Sequence, residues 1–253
     1  MNITSWNVNS LRARLDRVLA WVDAHEPDVL CMQEVKCVDG EFPFEPFRAR
    51  GYHVETFGQK TYNGVAIASR APMSDVARGL PDAGDPQARG ITARVDGVRV
   101  VNLYVPNGGD LTSDKYTYKL GWLEKLKDAV SPFCGEPLVV CGDFNIAPSD
   151  DDVYDPAGWK GQVLCSDAER ERFRSLLDLG LVDAFRVFEK RPRQYTWWDY
   201  RGNMWSQNNG LRIDHHLLSP QVAARAIDVT VDLDERGRTQ ASDHAPVTLH
   251  LRD

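Results

Sequence analysis

The stretch Leu138-Val139-Val140-Cys141-Gly142-Asp143-Phe144-Asn145 decides how the chain is read: a short apolar run that stops in a glycine, an acid and an amide. A run of this length bounded by turn residues reads as a buried strand. A carboxylate is costly to bury without partners, so an acid at the end of such a strand marks the rim of a sheet. The same pattern recurs along the chain. Trp6 gives way to Asn7 and Asn9, Met32 and Gln33 to Glu34, and Val101, Asn102 and Leu103 to Tyr104 and Asn107. Leu211, Arg212 and Ile213 run into Asp214, and Ser242, Asp243 and His244 precede a closing strand. Six strand ends of this kind point to one shared site.

Outward from that stretch, strands read at 2–6, 28–35, 52–57, 64–69, 90–95, 98–105, 137–142, 194–198, 211–218, 225–231 and 246–251. Asp96-Gly97 between two of them is a two-residue hairpin signal. Leu11, Leu15, Val18, Leu19 and Val22 recur at helical spacing ahead of Pro27. A second helix reads at 112–130, capped by Thr112 or Ser113, with the stripe Leu120, Leu123, Leu126 and Val130. A third reads at 166–180 from Ser166, with Phe173, Leu176, Leu177 and Leu179 facing inward and Gly180 as its stop. Strands and helices interleave without a linker, repeat or low-complexity tract, so the expectation is one α/β domain over 1–253 built of layered sheets.

Composition bounds the function classes. The chain has 253 residues, 42% hydrophobic and 26% charged, which is too apolar for a disordered chain. Its apolar stretches fall far short of the ~20 residues that cross a bilayer. Residues 3–6 already read as a strand without the basic and apolar regions of a secretion signal. The five cysteines form neither an even set nor a zinc-type pair, so they read as reduced thiols and the expected location is the cytoplasm. With 37 acidic against 30 basic residues the net charge is −7. That balance does not exclude nucleic acid, because binding needs only one locally basic face.

The clustered residue types suit a hard cation such as Mg²⁺, which takes carboxylate oxygens, water and substrate phosphate. Glu34, the lone acid after a buried run, is the first candidate ligand and Asp243 the second. His244 suits phosphoryl chemistry if a carboxylate fixes its ring, and Asp214 is available for that. Singly, an Asp or Asn at a strand end is more often a turn former or helix cap. Six together are hard to assign to coincidence.

At this point the residues match a known group. Segments 3–12 (Ile-Thr-Ser-Trp-Asn-Val-Asn-Ser-Leu-Arg), 33–36 (Gln-Glu-Val-Lys), 62–66 (Tyr-Asn-Gly-Val-Ala), 103–108 (Leu-Tyr-Val-Pro-Asn-Gly), 142–148 (Gly-Asp-Phe-Asn-Ile-Ala-Pro), 210–214 (Gly-Leu-Arg-Ile-Asp) and 242–246 (Ser-Asp-His-Ala-Pro) occur in order. The sequence resembles the exodeoxyribonuclease III group of class II apurinic/apyrimidinic endonucleases, within the DNase I-like endonuclease/exonuclease/phosphatase superfamily. The resemblance implies a four-layer αββα sandwich, two mostly antiparallel sheets packed face to face with helices outside, and a Mg²⁺- or Mn²⁺-dependent site at one rim. It implies that Glu34 is the principal metal ligand, helped by Asn7 and Asp243. Asp143 would activate the attacking water or protonate the leaving oxygen, oriented by Asn145. Asp214 and His244 would polarise the scissile phosphate, with Tyr104 and Asn107 supporting it. The base is left open between Asp143 and His244. The implied reaction is water attack on a DNA phosphodiester to leave a 3′-hydroxyl, at 3′ ends or on the 5′ side of an abasic site.

A missing base offers only shape to recognise, and a flipped sugar in an apolar pocket is the economical solution. Trp197 and Leu211 sit at the matching pocket positions. Arg12, Lys36, Lys60 and Arg201 lie beside matched motifs and would track phosphates of duplex DNA carrying an abasic or 3′-blocked site. Asp110 stands where some relatives place a basic residue that reaches into DNA. The stretch 150–165 resembles a loop that borders the pocket. His215, His216, Cys31 and Cys37 read as structural. The rivals are a lipid or inositol phosphodiesterase on the same fold, against which Trp6-Asn7-Val8-Asn9, Leu211-Arg212-Ile213-Asp214 and the Trp197 neighbourhood favour DNA, and a catalytically silent nucleic-acid-binding protein, which would lose metal or base residues that are all present here. No heptad seam is present, so a monomer that avoids membranes is expected.

Overall fold

The computed structural model describes residues 1–80, 84–188 and 191–252. In chain order the strands and helices are β1 (Asn2–Asn7), α1 (Leu11–His25), β2 (Val29–Gln33), α2 (Phe44–Arg48), β3 (His53–Phe57), β4 (Val65–Ser69), β5 (Ser74–Arg78) and β6 (Gly90–Val95). They continue as β7 (Val98–Tyr104), α3 (Asp114–Val130), β8 (Leu138–Asp143), α4 (Pro156–Trp159), α5 (Asp167–Leu177), β9 (Val182–Asp183), α6 (Ala184–Phe188) and β10 (Asp214–Leu218). Last come α7 (Pro220–Ala223), β11 (Ala226–Val231), α8 (Leu233–Arg236) and β12 (Val247–Leu251).

The strands form two six-stranded sheets, ordered β11-β12-β1-β2-β4-β3 and β5-β6-β7-β8-β10-β9. Each has one parallel pair near its centre, β1 with β2 and β7 with β8, and the remaining pairs are antiparallel. Parallel neighbours need a crossover, which α1 and α3 supply. The sheets bury Ile3, Cys31, Ile67, Val100, Val139 and Val247 between them. Trp21 and Val22 of α1 cover Leu30 and Met32 on the first sheet, and Leu126 and Phe173 of α3 and α5 cover Val140 and Leu217 on the second. Four layers result, with both faces of β2 and β8 covered, which is why those strands read as continuous apolar runs. Asn102 pins the sheets to each other: its Nδ2 donates to Met32 O and Ala66 O at 3.0 and 2.9 Å, and its Oδ1 accepts from Gln33 at 2.7 Å.

Local signals explain the element ends. Asp96 and Gly97 take φ of 46° and 81°, closing the β6–β7 hairpin as its sequence requires. Ser113, not Thr112, caps α3, accepting from Tyr116 N at 3.2 Å. Ser166 and Glu169 form a capping box at the start of α5. The strand expected at 28–35 ends at Gln33 because Glu34 and Lys36 are left-handed, with φ of 51° and 53°. The strand expected at 194–198 is not formed: Trp197 makes only isolated bridges to Leu211 and His244, and β10 begins at Asp214. The buried stripe of α3 is Lys119, Trp122, Leu123, Leu126 and Val130, one position ahead of the expected Leu120 start. No helix among the described residues is long and apolar enough to cross a membrane.

Two adjacent histidines on β10 are fully enclosed. His215 is satisfied by Ile146 O at 2.8 Å and Arg212 Nη1 at 2.9 Å, whereas neither ring nitrogen of His216 has a hydrogen-bond partner. Burial pushes each imidazole down to about 4. The unfolded chain takes these protons near pH 6.5 and the folded chain refuses them until pH 4, so their contribution is complete above pH 6.5 and is lost as pH falls toward 4. His216→Leu removes one such group without stranding a partner. Its melting temperature relative to wild type should rise as pH is lowered from 6.5 to 4; a difference that ignores pH would refute this.

Candidate active site

Both parallel pairs deliver their C-terminal ends to one rim. Asn7 closes β1, Glu34 follows β2, Tyr104 closes β7 and Asp143 closes β8. β10 runs antiparallel to β8 with Asp214 opposite Asp143, so its first residue joins them. The loop before β12 adds Asp243 and His244. Gly142 permits the close approach of β7 to β8: it takes φ of 140°, and a Cβ there would lie 2.0 Å from Leu103 O.

Asn7 is the link between the sheets at this rim. Its Nδ2 donates to Glu34 Oε1 and to Asp143 Oδ2, both at 2.9 Å, so two carboxylates from different sheets share one amide. The other oxygen of Glu34 meets Lys36 Nζ at 2.8 Å. Asp143 Oδ1 accepts from Asn145 N at 2.9 Å. Asn145, left-handed at φ 50°, donates its Nδ2 to Val105 O at 3.0 Å and accepts from Asn107 Nδ2 at 3.1 Å. His244 stands between two acids, with Nδ1 2.9 Å from Asp214 Oδ2 and Nε2 3.6 Å from Asp143 Oδ2. Thr196 holds Asp214 in place, donating Oγ1 to Oδ2 at 2.6 Å while accepting from the backbone of Ile213 and Asp214.

Charge is crowded here. Burial raises the Asp143 carboxyl, against the pull of the neighbouring His244, to about 7. Burial alone would lower His244, but the carboxylates of Asp214 and Asp143 outweigh it and push the imidazole up to about 10. At neutral pH the ring is therefore a cation held by two acids. Burial, followed by Glu34 and Asp143, lifts the Tyr104 hydroxyl well above its usual range, so it remains a donor. Arg89 lies over the Tyr104 ring at 5.1 Å.

Opposite the carboxylates of Glu34, Asp143, Asp214 and Asp243 stand the Lys36 ammonium and the His244 imidazolium. The surplus is negative, and a hard divalent cation would compensate it through carboxylate oxygens. Ligand atoms of Asp143, Asp214 and His244 lie within 4.8 Å of one another. The hydrogen bond between Asp214 and His244 already occupies that pair, which leaves the Glu34–Asp143 edge as the open acidic face. The donor set fits a divalent cation.

The remaining expected residues divide. Asn7 presents its amide nitrogen to the carboxylates and its oxygen to Asn9 N at 2.9 Å, so it is placed as a bridging donor rather than a ligand. Both oxygens of Asp243 are engaged, by Asn9 Nδ2 and Trp197 Nε1 at 3.0 Å each. Trp197 walls a cleft of about 790 Å³ that opens on Glu34, Asp143 and His244. Leu211 does not line it; fully buried, it forms a bridge with Trp197, and the apolar wall comes instead from Trp159 at the end of α4 and from Val163 and Leu164 in the segment after it. Arg201 lines the cleft beside Asp199, and Asp110 lines it on the other side. Arg12 is paired with Glu41 on the exposed surface and Lys60 is exposed, both outside the lining. Thr196 escaped notice because it lies in the stretch 194–198, whose composition points to a strand.

A family model for the endonuclease/exonuclease/phosphatase family matches residues 4–244. The chain belongs to that family. It is 35% identical, over the full length of both chains, to exodeoxyribonuclease III of Haemophilus influenzae. Among solved structures it resembles a Neisseria 3′ phosphatase, NExo, bound to product DNA hairpin: TM-score 0.98, 47% identity, covering 100% of this chain and 99% of that one. An AP endonuclease from Archaeoglobus fulgidus superposes with a TM-score of 0.97 at 37% identity, covering 100% of both chains. This family member is an exodeoxyribonuclease III-type nuclease, a phosphodiester hydrolase of a metal-dependent family.

Excess negative charge at the rim gives a measurable consequence. A divalent cation at a hundredfold excess over its dissociation constant should stabilise the folded chain by about 2.7 kcal/mol. Glu34→Gln should abolish most of that gain in thermal melts with and without chelator; an equal gain in the variant would remove Glu34 from the cation site.

Proposed function

We propose that the chain is a DNA end-processing and abasic-site nuclease whose every reaction expels a DNA 3′-oxygen. Removal of a 3′-terminal phosphate, removal of a 3′-terminal nucleotide and incision on the 5′ side of an abasic site all break a phosphorus–oxygen bond to a 3′ carbon. One arrangement of groups serves all three. The observation that carries the reading is the placement of His244 between Asp214 and Asp143, with Glu34 joined to Asp143 through Asn7. The Neisseria 3′ phosphatase and the archaeal AP endonuclease support it from the comparison side.

In this reading Asp143 is the base. Raised to about 7, it accepts a proton from water near neutral pH, while Asn145 N and Nδ2 fix the direction of its carboxylate. His244, already protonated and backed by Asp214, has no lone pair to offer. It donates instead to a phosphoryl oxygen and meets the charge that develops in the transition state. Tyr104 and Asn107 donate to the remaining oxygens. Glu34 would hold Mg²⁺ or Mn²⁺, which would supply Lewis-acid neutralisation of phosphoryl charge. Asn7 and Asp243 keep that carboxylate and Trp197 in position. Trp197 and the segment 158–164 cover a sugar without a base, with Leu211 as their support. Lys36 and Arg201 contact phosphates near the cleft, and Arg12 and Lys60 those further along the duplex. The working unit is residues 1–253 as one catalytic domain, a monomer acting on abasic or 3′-blocked duplex DNA in the cytoplasm.

The test is a set of duplexes carrying a 3′-phosphate, an intact recessed 3′ end or an abasic site, with an inositol phosphate as the outgroup, each with Mg²⁺, Mn²⁺ or chelator. DNA should be cut to 3′-hydroxyl products only with cation. Asp143→Asn, His244→Asn and Glu34→Gln should each lower kcat by about 10²–10³ or more while remaining folded. Unchanged turnover in Asp143→Asn would overturn the assignment of the base, and turnover of the inositol phosphate alone would overturn the substrate.

A further inference from the structure

Lys119 leads the buried stripe of α3, and both it and Glu169 of α5 are fully enclosed, with side-chain exposure of 0% each. The ammonium has three N–H donors and all are used: Asn107 O at 3.0 Å, Asn145 O at 2.6 Å and Glu169 Oε1 at 2.5 Å. Glu169 is equally occupied. Its Oε1 also accepts from Leu164 N at 3.1 Å, and its Oε2 accepts from Ser166 N and Oγ at 3.0 and 2.6 Å.

An ion pair this deep is a weak source of net stability, because both charges lose their water and an apolar pair of similar volume does as well. What a lysine does here that an apolar side chain does not is hold two carbonyls on one nitrogen. Those carbonyls belong to Asn107 and Asn145, 38 residues apart in the chain, whose side chains are then joined at 3.1 Å. Asn145 in turn donates its backbone N–H to Asp143 Oδ1 at 2.9 Å and its Nδ2 to Asp143 Oδ2 at 3.3 Å.

We propose that Lys119 is a positioning residue of the hydrolytic reaction: it tethers the Asn107 and Asn145 loops so that their amides aim Asp143, and through Glu169 it fixes that line relative to Leu164 on the cleft wall. The proposal rests on the reading of Asp143 as the base. A tetrahedral ammonium is suited to three acceptors in three directions. The planar fork of arginine keeps the charge opposite Glu169 but cannot reproduce those directions.

Kinetics on a duplex with a 3′-phosphate in Mg²⁺ test this, with Lys119→Arg and Lys119→Met each made in wild-type and Asn145→Ala chains and folding followed by circular dichroism. Wild type should cleave, and Lys119→Arg should fold with kcat lowered about 10- to 100-fold and KM within about twofold. In the Asn145→Ala chain the same substitution should change kcat by less than about threefold, because the two residues act as one unit. Normal kcat in a folded Lys119 variant, or a loss repeated in full beside Asn145→Ala, overturns the proposal. Failure of both variants to fold also overturns it, by making Lys119 a residue of the core alone. A wild-type chain that cleaves no DNA would instead fail the nuclease reading, and the positioning role with it.

Discussion

Everything at the rim depends on keeping like charges close together in a place with little water. Glu34 and Asp143 converge on one amide nitrogen of Asn7, and Asp214 lies beyond them on the far side of His244. Carboxylates so placed repel one another unless each has its own donors, and the chain supplies them from widely separated positions. Thr196 serves Asp214, the Asn145 backbone serves Asp143, and Lys36 serves Glu34. The repulsion left over is the site's chemical asset. It keeps His244 charged, leaves Asp143 able to gain and lose a proton near neutrality, and favours a cation among the acids.

The double sheet is the means of convergence. A parallel pair in each sheet sends two strand ends to the same edge, and packing the sheets face to face brings the four ends within side-chain reach of each other. A single sheet would spread the same residues along a line. The outer helices take no direct part in the chemistry, but one link runs inward from them. α3 and α5 send Lys119 and Glu169 inward to the loops that follow β7 and β8, so the second helical layer has a path to the cleft.

How much of this the sequence displays varies by residue. Strand ends rich in acids and amides are legible because buried apolar runs are conspicuous and their polar stops more so; Asp143, Glu34 and Asp214 announce themselves this way. Periodicity also found α1, α3 and α5, with caps at Ser113 and Ser166. Contacts made across the sandwich are not legible. Thr196 resembles a strand threonine until Asp214 is opposite it. Lys119 looks like a solvated lysine on a helix, and only the phase of its stripe, set by Trp122 and Val130, places it inside. Leu211 was expected on the pocket wall, but it is fully buried, and its bridge partner, the half-buried Trp197, lines the cleft instead. Residues 194–198 have strand composition but pair only through single bridges at Trp197.

The strand order also makes distant parts of the chain depend on each other. β1 has β12 as its neighbour, and Met1 and Leu251 exchange backbone hydrogen bonds at 2.9 and 3.0 Å. The first sheet therefore frames the second, whose strands all come from the middle of the chain. Without β12, β1 would have an open side, and the loop that carries His244 to Asp214 would lose the strand that follows it. Loss of that pairing would leave Asp143 and Asp214 without the imidazole that stands between them, so the charge balance of the site hangs on the seam between β1 and β12.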